Sequence, residues 1–206
     1  MCGIARREEN EMTLDGLSRA ERQAQTRERL IDVARQQFLK HGYAATSLDK
    51  VAIEAGFSKG AVYSNFAGKE ELCMAVLDEI HAEQTEAVVD AFSGPGSLED
   101  KFKAFSTWAQ TGLGNPRWTA LEVEFAAVAR HSPYVANALT ERHRAIASAI
   151  ADLIRTVTER EGVTLKQGPE DTAVVLLSMG IGLGALRSLD SQLDVTVFAD
   201  AMRALL

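Results

Sequence analysis

Five side chains in one short run can hydrogen-bond to a phosphate oxygen or to the edge of a nucleotide base: Lys59, Tyr63, Ser64, Asn65 and the nearby Lys69. Between them, Gly60 and Ala61 carry almost no side chain, so the backbone there can come close to another surface. Val62 and Phe66 stand four residues apart, the spacing that places two apolar groups on one face of a helix and anchors it. A run of this kind can offer polar groups to a phosphate or base on one face while being held from the other.

Two short helices must position these groups. Ser47 suits an N-cap, because its hydroxyl can accept a free backbone N–H of the first turn. Leu48, Val51, Ala52 and Ala55 follow at helical spacing, and Gly56 comes where a helix end favours a residue tolerant of positive φ. Ser58 can then cap a second helix carrying Lys59 to Phe66. Two short helices around a tight glycine turn make a helix-turn-helix, whose second helix is small enough to enter a DNA major groove. Spacing alone also allows an ordinary helical hairpin with a solvated polar face.

The wider stretch from about Thr26 to Ile80 resembles the DNA-binding domain of the tetracycline-repressor (TetR) family of bacterial transcriptional regulators. The resemblance rests on a helix Arg27–Gly42 ending ARQQFLKHGY, then Ala45-Thr46-Ser47, Val51-Ala52 and the unbroken run Ala55 to Tyr63. Asn65-Phe66 and Lys69-Glu70-Glu71-Leu72 complete it. Asn65 stands where the family often has histidine, and Gly68 where it often has Ser, Thr or Asp. Gly68 caps a helix less well than Ser, so the next helix is expected to start loosely. The resemblance implies that Lys59, Gly60 and Ala61 approach bases, with Ser58 and Ser64 on the same helix. It also implies that Thr46, Ser47, Tyr63, Asn65 and Lys69 bond phosphates.

The formal charge of −7 is unevenly spread. Residues 17–69 hold nine Lys/Arg against five Asp/Glu, a local +4. Residues 70–206 hold eleven against twenty, or −9, and the first sixteen hold two against four, or −2. Phosphate binding needs a local positive surface, not a positive chain. We expect residues 1–17 to be a disordered, inert tail in spite of Arg6 and Arg7. Residues 18–68 would form the helix-turn-helix domain, and 69–206 a helical domain for effector binding and dimerisation.

That second part reads as helices throughout. The apolar stripes are Leu72, Val76 and Ile80; Phe102, Phe105 and Ala109; Trp118, Leu121, Phe125 and Val128; and Leu139, Ile146, Ile150, Leu153 and Val157. The fold expected is all-α, with about nine helices. Phe105, Trp108, Trp118, Phe125 and Met179 are large apolar groups on inward stripes, with Glu122 flanking one stripe and His143 interrupting another. Such a set either lines a small-molecule site or fills a core. With the resemblance, an effector pocket for a mostly apolar molecule is expected.

Residues 169–188 are apolar nearly all round, and such a helix must be covered on every face. A two-fold dimer is the simplest cover, and the resemblance implies a four-helix bundle made by the last two long helices. Leu176, Gly180, Leu183, Gly184, Phe198, Met202 and Leu205 are the expected interface. Gly180-x-Gly182-x-x-Ala185 also matches a dinucleotide fingerprint, but no parallel-sheet unit surrounds it and only twenty-one residues follow.

The remaining classes are poorly supported. Cys2 and Cys73 are too few for a disulfide framework, and neither they nor His41, His81, His131 and His143 show metal-ligand spacing. No cofactor, no catalytic grouping and no membrane partner are expected, and the location expected is cytoplasmic. The reading is a homodimeric regulator, a repressor released from a palindromic double-stranded DNA operator by a small effector. The alternative is a helical dimer that binds small molecules without DNA.

Overall fold

The computed structural model describes residues 18–205, so the tail expected over 1–17 lies outside the described residues. The described residues form nine helices and no strand, as the patterning predicts: α1 (Arg19–Ala45), α2 (Leu48–Ala55), α3 (Lys59–Asn65), α4 (Lys69–Ser93), α5 (Leu98–Gly112), α6 (Pro116–Val128), α7 (Pro133–Glu161), α8 (Pro169–Leu189) and α9 (Thr196–Leu205). Two compact units divide the chain, with the boundary inside α4 between Val76 and Leu77.

In the first unit, α1 starts from a capping box: Ser18 Oγ accepts the Glu21 N–H, and the Glu21 carboxylate accepts the Ser18 N–H at 2.7 Å. Leu30, Ile31, Val33, Ala34 and Phe38 are buried. Gly42 breaks the helix with φ 81°, and one further turn runs on to Ala45. The sequence stripe Leu30, Ile31, Ala34, Phe38 and Leu39 omits Val33 and puts Arg27 on the outer face. Arg27 instead lies 4.2 Å over the Phe66 ring and donates to the Asn65 carbonyl at 2.8 Å.

Turn chemistry fixes α2 and α3. Ser47 Oγ accepts the Lys50 N–H, and Ser58 Oγ accepts the Ala61 N–H at 3.2 Å. Gly56 closes α2 in the left-handed region (φ 80°). Val62 (0% exposed) and Phe66 (1%) anchor α3, each burial contributing about 1.5–3 kcal/mol. The loose start expected for α4 is offset, because Glu71 reaches back to accept the Ala67 N–H at 2.7 Å.

The second unit packs α5 against α9 and lays α8 against α6 and α7. Its core joins Phe102, Phe105, Ala109 and Leu113 to Val195, Phe198, Ala199 and Met202, with Leu176, Met179 and Leu183 of α8 packed against them. The Phe105 and Phe198 rings meet edge to face, centroids 5.2 Å apart. Two ion pairs tie distant helices. Arg142 of α7 donates from Nε to Asp78 of α4 at 2.9 Å, and the buried Lys101 of α5 pairs with Glu161 at the end of α7.

This packing engages most of the expected dimer residues within one subunit. Phe198 (6% exposed) and Met202 (8%) are core groups of a single chain, with Leu176 and Leu183 packed against the same core. A Cβ on Gly180 would stand 3.5 Å from the Phe198 ring, so this glycine serves that contact. Gly184 is buried beside Gly114, whose φ is 69° and where a Cβ would meet the Gly184 carbonyl at 2.9 Å. Gly180 and Gly184 thus admit neighbours within the subunit. Leu205 is half-buried beside the cavity described below. The apolar groups of α8 more than half exposed are Val174, Ile181, Leu186 and Leu189, with Gly182 open beside them and Ile181 also at the cavity wall. By length and composition α8 would be long enough to cross a membrane, with a mean hydropathy of 1.6, although Glu170, Asp171 and Arg187 lie within it.

Candidate nucleic-acid interface and ligand cavity

The anchoring of α3 by Val62 and Phe66 turns its opposite face outward. Lys59, Gly60, Tyr63 and Ser64 are exposed there, and Ala61 and Asn65 are half-buried. Ser47 and Ser58 are exposed at the starts of their helices. Nothing crowds Gly60: a Cβ there would meet only the Ser58 hydroxyl, at 3.7 Å. The face is short, polar and nearly free of bulk at its first turn, which lets a helix backbone come against a groove floor.

Three expected phosphate contacts are engaged inside the protein. Thr46 is only 3% exposed, and its hydroxyl donates to the Gly42 carbonyl at 2.9 Å. It closes the break in α1 and is corrected from the list of contacts. Asn65 turns its amide back onto α3, Nδ2 donating to the Ala61 carbonyl at 2.8 Å. Lys69 lies 4.2 Å over the Tyr43 ring and donates to the Ala44 carbonyl, bracing the end of α1 against the start of α4. Tyr43 is itself pushed up to about 12, by burial first and then by Cys73 and Glu70.

Lys59 carries a partner that sequence reasoning missed. Its Nζ lies 2.9 Å from Asp49 Oδ1 of α2, in a pair exposed on both sides. The hydrogen bond and charge of Asp49 hold the ammonium above its ordinary value. Asp49 is the first acidic residue of α2, ten positions before Lys59, and only the angle between the two helices brings them together. The arrangement can bind an anion, provided that anion replaces the Asp49 carboxylate.

The second unit holds a half-open cavity of about 260 Å³, just below the usual range of small-molecule sites. Of the expected pocket residues, Phe105, Trp108, Trp118, Glu122 and His143 line it. Phe125 and Met179 do not. Phe125 is fully buried in the packing, and Met179 sits against the α5–α9 core. Sequence reasoning also missed His81 and Gln84 of α4 and Thr119 of α6, which line the cavity. His81 directly follows Ile80 of the α4 stripe, and Thr119 follows Trp118; those neighbours were the available signal. His81 Nε2 pairs with Glu122 Oε1. His143 titrates below its ordinary value, first because burial disfavours the imidazolium and second because His81 is near.

Comparison with known proteins assigns both units. Residues 30–76 match the family model described as bacterial regulatory proteins, tetR family. Residues 103–206 match the model described as BetI-type transcriptional repressor, C-terminal. The chain is 22% identical over 181 residues to the HTH-type transcriptional regulator UidR of Escherichia coli, covering 88% of this chain and 91% of that one. It is 42% identical over 57 residues to the regulator TtgR of Pseudomonas putida, covering 28% and 27% of the two chains. Among solved structures, a TetR-family regulator of Pectobacterium atrosepticum superposes with TM-score 0.69 at 24% identity, covering 92% of this chain and 96% of that one. E. coli NemR in its reduced form superposes with TM-score 0.69 at 19% identity, over 87% and 96% of the chains. With a helix-turn-helix exposed in one unit and helical packing matched across the other, the chain belongs to the TetR family of DNA-binding transcriptional regulators and is not an enzyme.

Proposed function

We propose that this protein is a cytoplasmic repressor that holds a palindromic operator as a homodimer and releases it when a small, mostly apolar effector fills the cavity of the second unit. Residues 18–68 serve the DNA and residues 69–206 serve the effector and the dimer. The observation that carries the DNA reading is the outward face of α3, where Lys59, Gly60, Tyr63 and Ser64 are exposed while Val62 and Phe66 hold the helix. Lys59, Gly60 and Ala61 approach base edges. Ser47, Ser58, Tyr63 and Ser64 meet phosphates or neighbouring backbone, and Asn65 and Lys69 join them only by leaving their internal partners.

Two copies of α3 must reach successive major grooves, about 34–36 Å apart on one face of B-DNA. A two-fold dimer supplies them, and the exposed Val174, Ile181 and Leu186 of α8 are the surface that such a dimer would cover. Repression agrees with the description of the family model that fits the C-terminal half. For release, α4 is the transmitting element: it begins next to α3 in sequence and contributes His81 and Gln84 to the cavity wall. Coupling of this kind is typically worth about 1–3 kcal/mol, or about 5–150-fold in DNA affinity.

The test is fluorescence anisotropy of the purified chain on labelled DNA, with Tyr63→Ala and Lys59→Ala measured at several salt concentrations. We expect Tyr63→Ala to weaken binding to all sequences. Lys59→Ala should reduce discrimination between sequences and flatten the salt dependence by about one counterion. Unchanged affinity and slope in both variants would remove α3 from the interface.

A further inference from the structure

Polar atoms are few in the cavity wall, and three of them, on α4 and α6, have no partner within the protein. His81 Nδ1 and Gln84 Oε1 on α4 and Thr119 Oγ1 on α6 are all buried from solvent and unpaired. Each belongs to a residue that lines the cavity. A buried polar group left unpaired costs about 1–3 kcal/mol, so three beside one apolar space call for a common explanation. Thr119 is 4% exposed, yet its hydroxyl does not bond back to its own helix as those of Thr140 and Thr158 do. The remainder of the wall is almost wholly apolar, including Phe102, Phe105 and Leu176.

The kinds of atom define the missing group. His81 Nε2 is paired with the Glu122 carboxylate, which can only accept, so the ring nitrogen facing Glu122 carries the proton. In the neutral ring Nδ1 is then an acceptor, and Gln84 Oε1 is a second one. The Thr119 hydroxyl can give or take one bond. Of the three unpaired atoms two accept and one can do either, and with Glu122 alongside a carboxylate head would meet a like charge. A hydroxyl fits: it donates to His81 or Gln84 and accepts from Thr119.

We propose that the effector is an uncharged molecule with an apolar body and a hydroxyl at one end, and that His81, Gln84 and Thr119 receive the hydroxyl. This rests on the reading of the cavity as the effector site, and it adds the chemistry of the ligand. It also divides the cavity into two functions. The aromatic wall supplies affinity in proportion to the area covered, and the polar end decides which apolar molecules are accepted.

Titration calorimetry of the full chain at pH 8 tests this with three matched probes: 4-butylphenol, butylbenzene and 4-butylbenzoate. We expect the phenol to bind at least about tenfold more tightly than the hydrocarbon, the scale of one well-made hydrogen bond to a buried group. The benzoate should bind most weakly. Gln84→Leu and Thr119→Val, assayed separately and checked for helicity, should each remove most of the phenol's advantage over butylbenzene. Thr119→Val should also melt no lower than the wild type in the absence of probe, because it deletes an unpaired hydroxyl. Equal binding of phenol and hydrocarbon, preference for the benzoate, or an advantage that survives both substitutions would overturn the hydroxyl assignment while leaving the cavity as a ligand site. Failure of all three probes to bind would overturn the effector reading as well.

Discussion

The Lys59 ammonium and the Asp49 carboxylate lie 2.9 Å apart across the turn between α2 and α3, so the cation best placed to meet DNA is already paired. An exposed pair of this kind contributes little to stability, and its effect falls on binding. In the proposed complex DNA would have to displace Asp49 from Lys59, and Asp49 would then stand close to the incoming backbone. Replacing Asp49 by Asn should therefore leave the melting temperature unchanged and tighten binding to non-specific DNA several-fold at low salt. Anisotropy on a random-sequence duplex measures it; unaltered or weaker binding would mean that the carboxylate does not compete with phosphate.

Arg27 fixes the other side of α3, lying 4.2 Å over the Phe66 ring and donating to the Asn65 carbonyl. Both contacts fall at the C-terminal end of the reading helix. Arg27→Ala should cost on the order of 1–2 kcal/mol of stability, seen as a lower denaturant midpoint. Its effect on operator binding should exceed that loss, because α3 becomes less well ordered.

Burial separates residues that hold the subunit together from those free to hold a second one. Phe198→Ala should cost about 3–5 kcal/mol, as a large buried aromatic does when truncated. Ile181→Asp, on the exposed face of α8, should leave the helix content intact and give monomers in sedimentation velocity. Monomer formation on truncating Phe198 without loss of stability, or an unaffected dimer in Ile181→Asp, would place the contact elsewhere.

These outcomes mark how far the sequence could be read. The caps Ser47 and Ser58, the turn at Gly56 and the anchors Val62 and Phe66 are local, and local chemistry at the right spacing is legible. The all-α fold follows from the stripes for the same reason. The orientation of α8 is not legible. A helix apolar on every side carries no pattern to say which side faces its own subunit; the structure turns Gly180 toward Phe198 and Gly184 toward Gly114 of the same chain. Thr46 and Arg27 failed differently: each is polar, and each finds its partner through a helix break or a helix 38 residues away. The polar end of the cavity depends on His81 of α4 meeting Glu122 of α6, 41 residues on, which no single stripe reveals.

His143 gives a pH dependence with a definite sign. Its folded value lies below the ordinary 6.5, chiefly through burial and then through His81. Above pH 6.5 the ring is neutral in both folded and unfolded chains and contributes nothing. As pH falls through 6.5 toward the lowered folded value, the unfolded chain takes up the proton first, so folding stability declines. Below both values the loss is constant. The decline in melting temperature between pH 7.5 and about pH 5.5 should be smaller in His143→Gln than in the wild type; equal declines would show that this ring does not couple to folding.

The presentation of α3 to a major groove is tested most directly at Gly60, where the protein has room for a side chain and a groove floor would not. Fragments bound from a random DNA pool should be selected and sequenced in parallel for the wild type and for Gly60→Leu, both confirmed as folded. We expect the wild type to recover an inverted repeat whose half-sites are centred about 10–10.5 base pairs apart, or a multiple of that, and Gly60→Leu to recover none. Recovery of the same site by both proteins, or no enrichment by the wild type, would contradict it.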